Sequence, residues 1–260
     1  MATSRVACAS FNLGTNTTIT ITRDNKAYTH TLKYSFNGAT GTIVTKTTAT
    51  TYVWTPPAST FYSKIPNTTS GYGTITCETY NGSTLIGTST AGFYAYAVKA
   101  DCLPTVTGTV VDTNSATIAL TGNASTIVAI LSKPKATLTA TAKNSASIKT
   151  IQIDNGWGLV ATTSPYTFDK VWGNQFFFKA NDSRGYSNTH TLTVSKFIDY
   201  YPCYFDKTPV FKRTETTATT ATASIVGSCF QGSIGAVSNT LTDKYRYKTS
   251  SGTYGSYANA

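Results

Sequence analysis

Residues 54–87 read WTPPASTFYSKIPNTTSGYGTITCETYNGSTLIG and carry the strongest local fold signal in the chain. They predict a strand that ends at the double proline, a short irregular crossing, and two strands joined at Asn81-Gly82. A two-residue type I′ hairpin turn needs positive φ at both central positions, which Asn tolerates and Gly adopts freely. The segment therefore predicts part of an all-β domain.

The composition of the whole chain favours strands over helices. The 260 residues include 17 Tyr and 12 Phe, whereas Glu occurs only at Glu78 and Glu215. Aromatic and β-branched side chains suit a pleated, half-buried surface, while surface helices need residues such as Glu, Lys and Leu. We therefore expect almost no helix.

Alternation with a period of two supports the same fold class. From Tyr28 to Phe36, aromatic and apolar residues and His30 alternate with Thr, Lys and Ser, so one face is expected in a core and the other in water. Seven or eight such segments fit the first 100 residues, which predicts an immunoglobulin-like β-sandwich. Cys8 and Cys77 flank Trp54, but nothing in the sequence places these cysteines opposite each other, so the antibody-type disulfide is not expected.

Two proline-containing segments, around Pro104 and Pro202, mark boundaries between β domains. The predicted organisation is a tandem of immunoglobulin-like β-sandwiches in residues 1–100 and 101–200, followed by a partial or reduced third β domain in residues 201–260. The second domain is expected to include a strand from Ala116 to Thr121. The candidate strands of the third are Val210–Glu215, Ala221–Val226 and Leu241–Thr249.

The chain is basic, with 21 Lys and Arg against 11 Asp and Glu and a formal net charge of +10. The excess is spread along the chain, whereas nucleic-acid-binding proteins concentrate it in a patch or stripe. Nucleic acid is therefore not an expected partner. An anionic cell-wall polymer is an alternative counter-surface, and the simplest interpretation is that the charge aids solubility.

No segment approaches 18 consecutive apolar residues, and the first residues lack a charged-then-apolar secretory pattern. The expectation is a protein that is made in a cytoplasm, has no membrane partner and stays soluble unless something other than a signal peptide exports it.

The sequence offers little for catalysis. His30 and His190 are its two histidines, no G-x-S-x-G motif accompanies them, and no pair of carboxylates stands out. His30 shares its alternating face with aromatic residues, which predicts a buried, hydrogen-bonded histidine. The five cysteines lack metal-ligand spacing and are an odd number, so free buried thiols and a partial set of bridges both stay open. We expect no enzymatic activity, no metal and no cofactor.

The one segment with binding character is Lys244-Tyr245-Arg246-Tyr247-Lys248. In a strand, Tyr245 and Tyr247 share one face and Lys244, Arg246 and Lys248 share the other. This arrangement fits a cationic strip for an anionic glycan or polymer. An amphipathic strand whose tyrosines lie in a core is the simpler interpretation.

A set of short segments in the first 100 residues forms a specific pattern: Thr22-Arg23, Tyr28–Leu32, Tyr34–Phe36, Trp54–Pro57, Ile65–Asn67, Ser70-Gly71 and Glu78–Gly87. Together they resemble an uncharacterised family of minor structural proteins from long-tailed phages of Gram-positive bacteria. Asp182-Ser-Arg-Gly185 and Leu241–Lys248 resemble later segments of the same family, and the likeness is most specific in the first 100 residues.

The resemblance implies a virion component of the tail tip or a tail fibre, built of tandem immunoglobulin-like modules, with no catalytic residue to carry over. The partners it implies are other virion proteins, host cell-wall polysaccharide and further copies of the chain. A carbohydrate-binding adhesin module is the alternative function, and a wall hydrolase is the least favoured.

Overall fold

The computed structural model describes residues 3–213, 215–217, 221–248 and 251–259. The chain forms two compact units. Unit 1 comprises Met1–Thr107, Thr139–Gln152 and Phe178–His190, and unit 2 comprises Gly108–Leu138, Ile153–Phe177 and Thr191–Ala260. Every sheet among the described residues takes its strands from one of the three predicted ranges. The three ranges as separate domains stay a prediction.

The first range contains eight strands and two short helices. Its elements are β1 (Arg5–Cys8), β2 (Phe11–Asn12), β3 (Thr17–Thr22), β4 (Tyr28–Phe36), β5 (Ala39–Thr47), β6 (Thr51–Trp54), α1 (Ala58–Lys64), β7 (Ser70–Asn81), β8 (Thr84–Tyr96) and α2 (Lys99–Cys102). They form a three-stranded sheet in the order β1-β3-β6 and a five-stranded sheet in the order β2-β8-β7-β4-β5.

An aromatic core joins these two sheets. Ile19 and Trp54 come from the smaller sheet, Phe36 and Phe93 come from the larger one, and all belong to one buried cluster. Phe61 of α1 stacks on Phe36 with 4.1 Å between ring centroids and meets Trp54 edge-on at 6.0 Å. The large apolar area of these rings makes them the main stabilising contacts of the sandwich.

The crossing after the double proline is helical, so the prediction of an irregular segment was wrong. The Phe61 amide donates to the Pro57 carbonyl at 3.0 Å, which begins the helix. Phe61 and Tyr62 are both buried. Because the helix turns two consecutive large side chains into the core, tertiary packing stabilises a segment with little intrinsic helix preference.

The two hairpin turns of the larger sheet differ from each other. Asn37 and Gly38 have φ of 43° and 85° and connect β4 to β5, which is the I′ signature. The β7–β8 turn lies one residue later than predicted, because Asn81 pairs with Thr84 and the central residues are Gly82 and Ser83. Gly82 has a φ of 60°, as expected for the first central position of a II′ turn. The hairpin was predicted correctly, but its turn type and position were not.

The second range contains nine strands and one helix. Its elements are β9 (Thr105–Asp112), α3 (Ser115–Thr121), β10 (Ile127–Val128), β11 (Pro134–Thr141), β12 (Ile148–Asp154), β13 (Val160–Ala161), β14 (Tyr166–Thr167), β15 (Gln175–Asp182), β16 (Ser187–Thr193) and β17 (Phe197–Ile198). The sheet orders are β14-β11-β9, β13-β12-β15-β16 and β10-β17. In unit 2, Phe168 and Phe176 are fully buried, with ring centroids 6.0 Å apart.

The predicted strand Ala116–Thr121 is wrong, because these residues belong to helix α3. The Asn114 side chain accepts a hydrogen bond from the Ala116 amide, which caps the N-terminus, and Gly122 closes the C-terminus in the left-handed conformation with φ of 68°. An Asn cap and a left-handed Gly are strong helix-end signals. The signals at the two ends therefore favour a helix over the strand that the alternation between them predicted.

A buried arginine ties the segments of unit 1 together. The Arg184 guanidinium is 6% exposed and donates to backbone carbonyls of two segments: Tyr62 and Ile65 at 3.0 and 2.9 Å, and Lys143 and Asn144 at 3.2 and 2.5 Å. A planar fork with five N–H donors suits this arrangement. Arg184 therefore fixes the β15–β16 turn against the end of α1.

The same turn makes further contacts within unit 1. The Asp182 carboxylate accepts from the Arg184 and Tyr186 amides at 3.0 and 2.8 Å. The Ser183 hydroxyl donates to the Pro66 carbonyl at 2.5 Å, and the Tyr186 hydroxyl donates to the Ala97 carbonyl at 3.2 Å. These bonds hold the turn rigidly in place.

The third range consists of short two-stranded ribbons. Its strands are β18 (Tyr204–Phe205), β19 (Val210–Arg213), β20 (Ala221–Ser224), β21 (Gly227–Ser228), β22 (Ser233–Ile234), β23 (Val237–Ser238), β24 (Lys244–Tyr245) and β25 (Ala258–Asn259). The ribbons are β18–β21, β19–β20, β22–β23 and β24–β25. Among the described residues of this range, the buried apolar side chains are those of Cys229 and Ile234.

The predicted strands of this range are longer than the observed ones. Two of them include Thr214 and Thr249, which lie outside the described residues. The fold class is nevertheless confirmed: the chain is all-β, and immunoglobulin-like in its layered sheets.

Candidate functional site

Three tyrosines form an exposed cluster on the outer face of the five-stranded sheet. Tyr72 lies on β7 and Tyr94 and Tyr96 on β8, at alternating positions that point away from the core. Their side chains are 52%, 47% and 43% exposed. We call these three residues the tyrosine face.

The strand register brings the rings together. Tyr72 is directly opposite Tyr94, and Ser70 is opposite Tyr96. The Tyr72 and Tyr94 ring centroids are 5.4 Å apart in an edge arrangement, and those of Tyr94 and Tyr96 are 6.3 Å apart and nearly parallel. Such pairs stabilise the sheet, and here they also form a continuous aromatic surface.

Gly92 makes room for this arrangement. It lies on the same outer face, two residues before Tyr94, and a Cβ atom at this position would overlap the Tyr72 hydroxyl. The Tyr72 ring therefore extends over β8 with its hydroxyl above Gly92. The ring conformation depends on the absence of a side chain at Gly92.

Threonine side chains continue the outer face next to the tyrosine face. Along β7, Thr74 and Thr76 continue the outer face, and Thr90 is opposite Thr76 on β8. A groove of about 320 Å³ follows on the same sheet. It is lined by Lys33, Tyr34, Ser35, Thr40, Gly41, Thr42 and Thr76.

A charged cluster lies further along the same sheet face. The Lys33 Nζ is 2.5 Å from the Glu78 Oε1, the Tyr80 hydroxyl donates to the Glu78 Oε2 at 2.9 Å, and the Lys46 Nζ lies 2.9 Å from the Tyr80 ring centroid. The hydrogen bond from Lys33 lowers the pKa of Glu78, and the same bond raises the pKa of Lys33. The Glu78 carboxylate is therefore ionised and already paired.

Two exposed tryptophans form a separate surface in unit 2. Trp157 is 61% exposed and Trp172 is 46% exposed. The buried Asn155 side chain accepts from the Trp157 amide at 3.0 Å, and a Cβ atom at Gly173 would overlap the Trp157 indole nitrogen. The indole thus lies over the backbone of the neighbouring loop.

The predicted strip Lys244–Lys248 starts as strand β24, which pairs with β25. Tyr247 is 73% exposed, so it is not a core residue. The cations of the strip lie over later tyrosines: Arg246 is 4.6 Å from the Tyr254 ring and 4.8 Å from that of Tyr257, and Lys248 is 5.2 Å from that of Tyr254. The strip as a ligand site stays a prediction.

His30 is buried, as predicted, with its Nε2 2.8 Å from the Ser4 hydroxyl. Desolvation by burial lowers its pKa, helped by the nearby Arg23 charge. Among the described residues, no group of three or more His, Cys, Asp or Glu side chains could hold a metal ion. None of the described helices has the length and hydropathy to cross a bilayer.

Sequence reasoning missed the tyrosine face. The signal was the alternation Phe93-Tyr94-Ala95-Tyr96 next to Gly71-Tyr72-Gly73. Either set of side chains could have faced the core on alternation alone. Strand pairing resolves the choice, because Phe93 fills the space above Gly73, where a Cβ atom would overlap its ring.

Comparison with protein families matches residues 2–225 to the siphovirus proteins of unknown function (DUF859). The chain belongs to this siphovirus family. The predicted likeness to siphophage proteins is therefore confirmed at the level of the virus group. A search of curated proteins gives no match.

Three similar solved structures consist of fibronectin(III)-like modules, immunoglobulin domains and a tandem repeat. The fibronectin(III)-like modules of Clostridium thermocellum CbhA are 16% identical, with 74% of this chain and 90% of that chain covered and a TM-score of 0.28. Sidekick-1 immunoglobulin domains 1–5 are 11% identical, with 78% and 40% covered and a TM-score of 0.36. A tetra-tandem repeat from the extending region of a large adhesion protein is 14% identical, with 99% and 63% covered and a TM-score of 0.33. At these TM-scores the likeness carries no functional argument.

Proposed function

We propose that the chain is a structural component of the siphovirus particle, in the tail tip or a tail fibre, and that its tyrosine face contacts polysaccharide of the host cell surface. The observation that supports the proposed host contact is the set of three exposed, mutually packed tyrosines on one sheet face. Membership of a siphovirus family supports the virion role.

The chemistry of the tyrosine face suits a sugar chain. A pyranose ring presents C–H groups on its faces and hydroxyls around its rim, so it needs a flat aromatic surface beside hydrogen-bonding groups. Tyrosine supplies both an apolar ring and a polar tip, and the outward hydroxyls of Thr74, Thr76 and Thr90 extend the polar part. Large rigid side chains with few rotatable bonds also lose little entropy on binding.

The sheet holds this surface in place. Phe93 and Ala95 alternate with Tyr94 and Tyr96 and are buried in the core, so the strand that presents the rings is anchored from behind. The Arg184 contacts secure another part of the same unit. A binding surface on rigid elements is well suited to a particle that must keep its geometry during attachment.

The host polysaccharide is proposed to be a wall polymer with anionic groups, because the chain carries a net charge of +10. Other virion proteins and further copies of the chain complete the proposed partners. The proposal needs no nucleic acid, no membrane, no cofactor and no catalysis, and it places synthesis in the host cytoplasm before assembly.

Electron microscopy of labelled particles tests the virion role. An antibody raised against the purified chain is expected to decorate the tail tip or fibres of intact particles. Labelling of the capsid alone, or of no part of the particle, would refute the tail assignment. The result does not depend on whether the tyrosine face binds sugar.

Equilibrium binding to purified host-wall polysaccharide tests the tyrosine face. The double variant Tyr72→Ala/Tyr94→Ala is expected to bind at least about tenfold more weakly, as for loss of central aromatic contacts elsewhere. Gly92→Ala is expected to weaken binding too, because it displaces the Tyr72 ring without removing it. Leu85→Ala, at an exposed position of the same strand, is the matched control and should bind like the natural protein.

A carbohydrate-binding adhesin module is the second candidate function, favoured by the same tyrosine face. The two candidates differ in location, since an adhesin need not be part of the particle. Saturable binding without labelling of particles would select the adhesin. Loss of polysaccharide binding in Trp157→Ala but not in the tyrosine variants would show that the polysaccharide contacts the exposed surface around Trp157 instead.

A further inference from the structure

Two cysteines of the third range lie opposite each other across a ribbon. Strands β18 and β21 pair with Tyr204 opposite Ser228 and Phe205 opposite Gly227. The Asp206 amide donates to the Val226 carbonyl at 2.9 Å, which continues the same register. One step in the other direction, this register places Cys203 opposite Cys229.

The hydrogen-bond pattern tells which kind of pair this is. Opposed residues of antiparallel strands alternate between hydrogen-bonded pairs and closer, non-hydrogen-bonded pairs. Because Asp206 and Val226 are hydrogen-bonded, Cys203 and Cys229 fall on a non-hydrogen-bonded pair, whose Cα atoms lie about 4.5 Å apart. Disulfides span Cα separations of about 4.4 to 6.8 Å, so a non-hydrogen-bonded pair in this register is compatible with a bridge.

The side chains support the same conclusion. Both cysteines are free thiols here. Cys229 is buried, and desolvation raises the pKa of its thiol, as do the hydrogen bond and the charge interaction with the neighbouring Cys203. Cys203 is exposed and lines an open cavity of about 620 Å³. A small oxidant therefore has access to the Cys203 thiol. The Cys229 thiol lies next to Cys203 and can react with it.

The small number of buried side chains around the two cysteines explains how a disulfide would stabilise this range. Among the described residues of 201–259, few side chains are buried, so these ribbons lack the core that stabilises the first range. Small domains with little core commonly need covalent cross-links. A bridge between residues 203 and 229 would close the loop that contains β19 and β20 and restrict its unfolded conformations.

We infer that Cys203 and Cys229 form a disulfide once the protein leaves a reducing cytoplasm. With a small disulfide such as glutathione disulfide as oxidant, the Cys203 thiolate attacks one sulfur and releases one glutathione thiolate. The Cys229 thiolate then attacks the Cys203 sulfur of the mixed disulfide and releases the second. Two protein thiols lose two electrons and two protons, and the oxidant becomes two glutathione thiols. This inference is independent of the proposed function.

Thiol counting on the full chain tests it. After incubation with glutathione disulfide and denaturing alkylation, two of the five thiols are expected to be protected, and digestion should yield a peptide pair joining Cys203 to Cys229. Five free thiols, a stable glutathione adduct on Cys203, or a bridge between other cysteines would overturn the inference.

Single substitutions provide the controls. Cys203→Ser changes an exposed side chain and should leave all four remaining thiols free after oxidation. Cys8→Ser, in β1, should leave the bridge intact. If Cys203→Ser loses two thiols as the natural protein does, a different pair is forming and the assignment is wrong.

Discussion

Strands β3 (TTITIT) and β20 (ATAS) are both short and uncharged, but their environments are opposite. Thr17–Thr22 alternates between buried and exposed residues, and Ile19 and Ile21 enter the core. Ala221–Ser224 is exposed at every position. The difference lies in what surrounds the strands: β3 belongs to a three-stranded sheet that shares a core with a five-stranded one, whereas β20 has a single partner.

This contrast separates the two ends of the molecule. Residues 3–102 are stabilised by packing, and the described residues of 201–259 depend on backbone pairing and local contacts. An isolated two-stranded ribbon is marginally stable in water. We therefore expect mutations of equal size to have very different effects in the two regions.

The largest effect is expected from removing a core ring. Phe61→Ala, which deletes a fully buried side chain stacked on Phe36, should reduce the free energy of unfolding by about 3–5 kcal/mol. Phe211→Ala, at a 62% exposed position of β19, should change it by less than about 0.5 kcal/mol. Urea unfolding in a Trp157→Phe/Trp172→Phe background, where Trp54 is the remaining tryptophan, measures the first by fluorescence, and hydrogen exchange of β19 measures the second. Equal losses would contradict the contrast.

A smaller effect is expected from the buried arginine. Arg184→Lys keeps the charge but cannot reach carbonyls of both contacted segments, so unsatisfied acceptors should cost about 1–3 kcal/mol. Arg213→Lys, on the exposed strand β19, is the matched control and should be neutral. The measurement is urea unfolding of the full chain in the same Trp157→Phe/Trp172→Phe background, again followed by Trp54 fluorescence. An unchanged midpoint for Arg184→Lys would show that the guanidinium is not needed there.

The sequence allowed the strand pattern to be predicted but not its cross-strand partners. Tyr28, His30, Leu32 and Phe36 are buried as alternation predicted, whereas Thr31, expected on the wet face, is buried as well. The tyrosine face and the Cys203–Cys229 pair depend on which residues face each other across strands, and that register is set by turns and bulges. The shift of the β7–β8 turn from Asn81-Gly82 to Gly82-Ser83 shows how a local motif leaves the register undetermined.

Helices α1 and α3 could not be predicted from the sequence pattern for a related reason. The α3 segment SATIALT mixes the good helix formers Ala and Leu with Ser and the β-branched Thr and Ile, so its ends, Asn114 and Gly122, give the clearest helix signal. In α1 the helix exists because it buries Phe61 and Tyr62. Long-range packing of this kind leaves no periodic signal in a segment of seven residues.

The smallest effect is expected from the Lys33–Glu78 pair, because the Lys33 side chain is 47% exposed and surface ion pairs add little. Glu78 has a lowered pKa in the folded state, so its contribution is complete above the ordinary glutamate value of 4.5 and is lost as pH falls through the folded-state value. Lys33 has a raised pKa, so its contribution is complete below 10.5 and is lost as pH rises through the folded-state value.

Glu78→Gln should therefore destabilise unit 1 slightly at neutral pH and should show no difference from the natural protein in strong acid. Thermal unfolding of both proteins across this pH range measures the change. A difference that persists at low pH would mean that Glu78 acts through packing instead of charge.

Host attachment itself provides the most direct test of the proposed function. Purified chain added to host cells before the phage is expected to slow phage adsorption, and Tyr72→Ala/Tyr94→Ala should require at least about tenfold more protein for the same effect. Leu85→Ala should compete like the natural chain. Equal competition by the tyrosine variant and the natural chain, or no competition by either, would contradict the account.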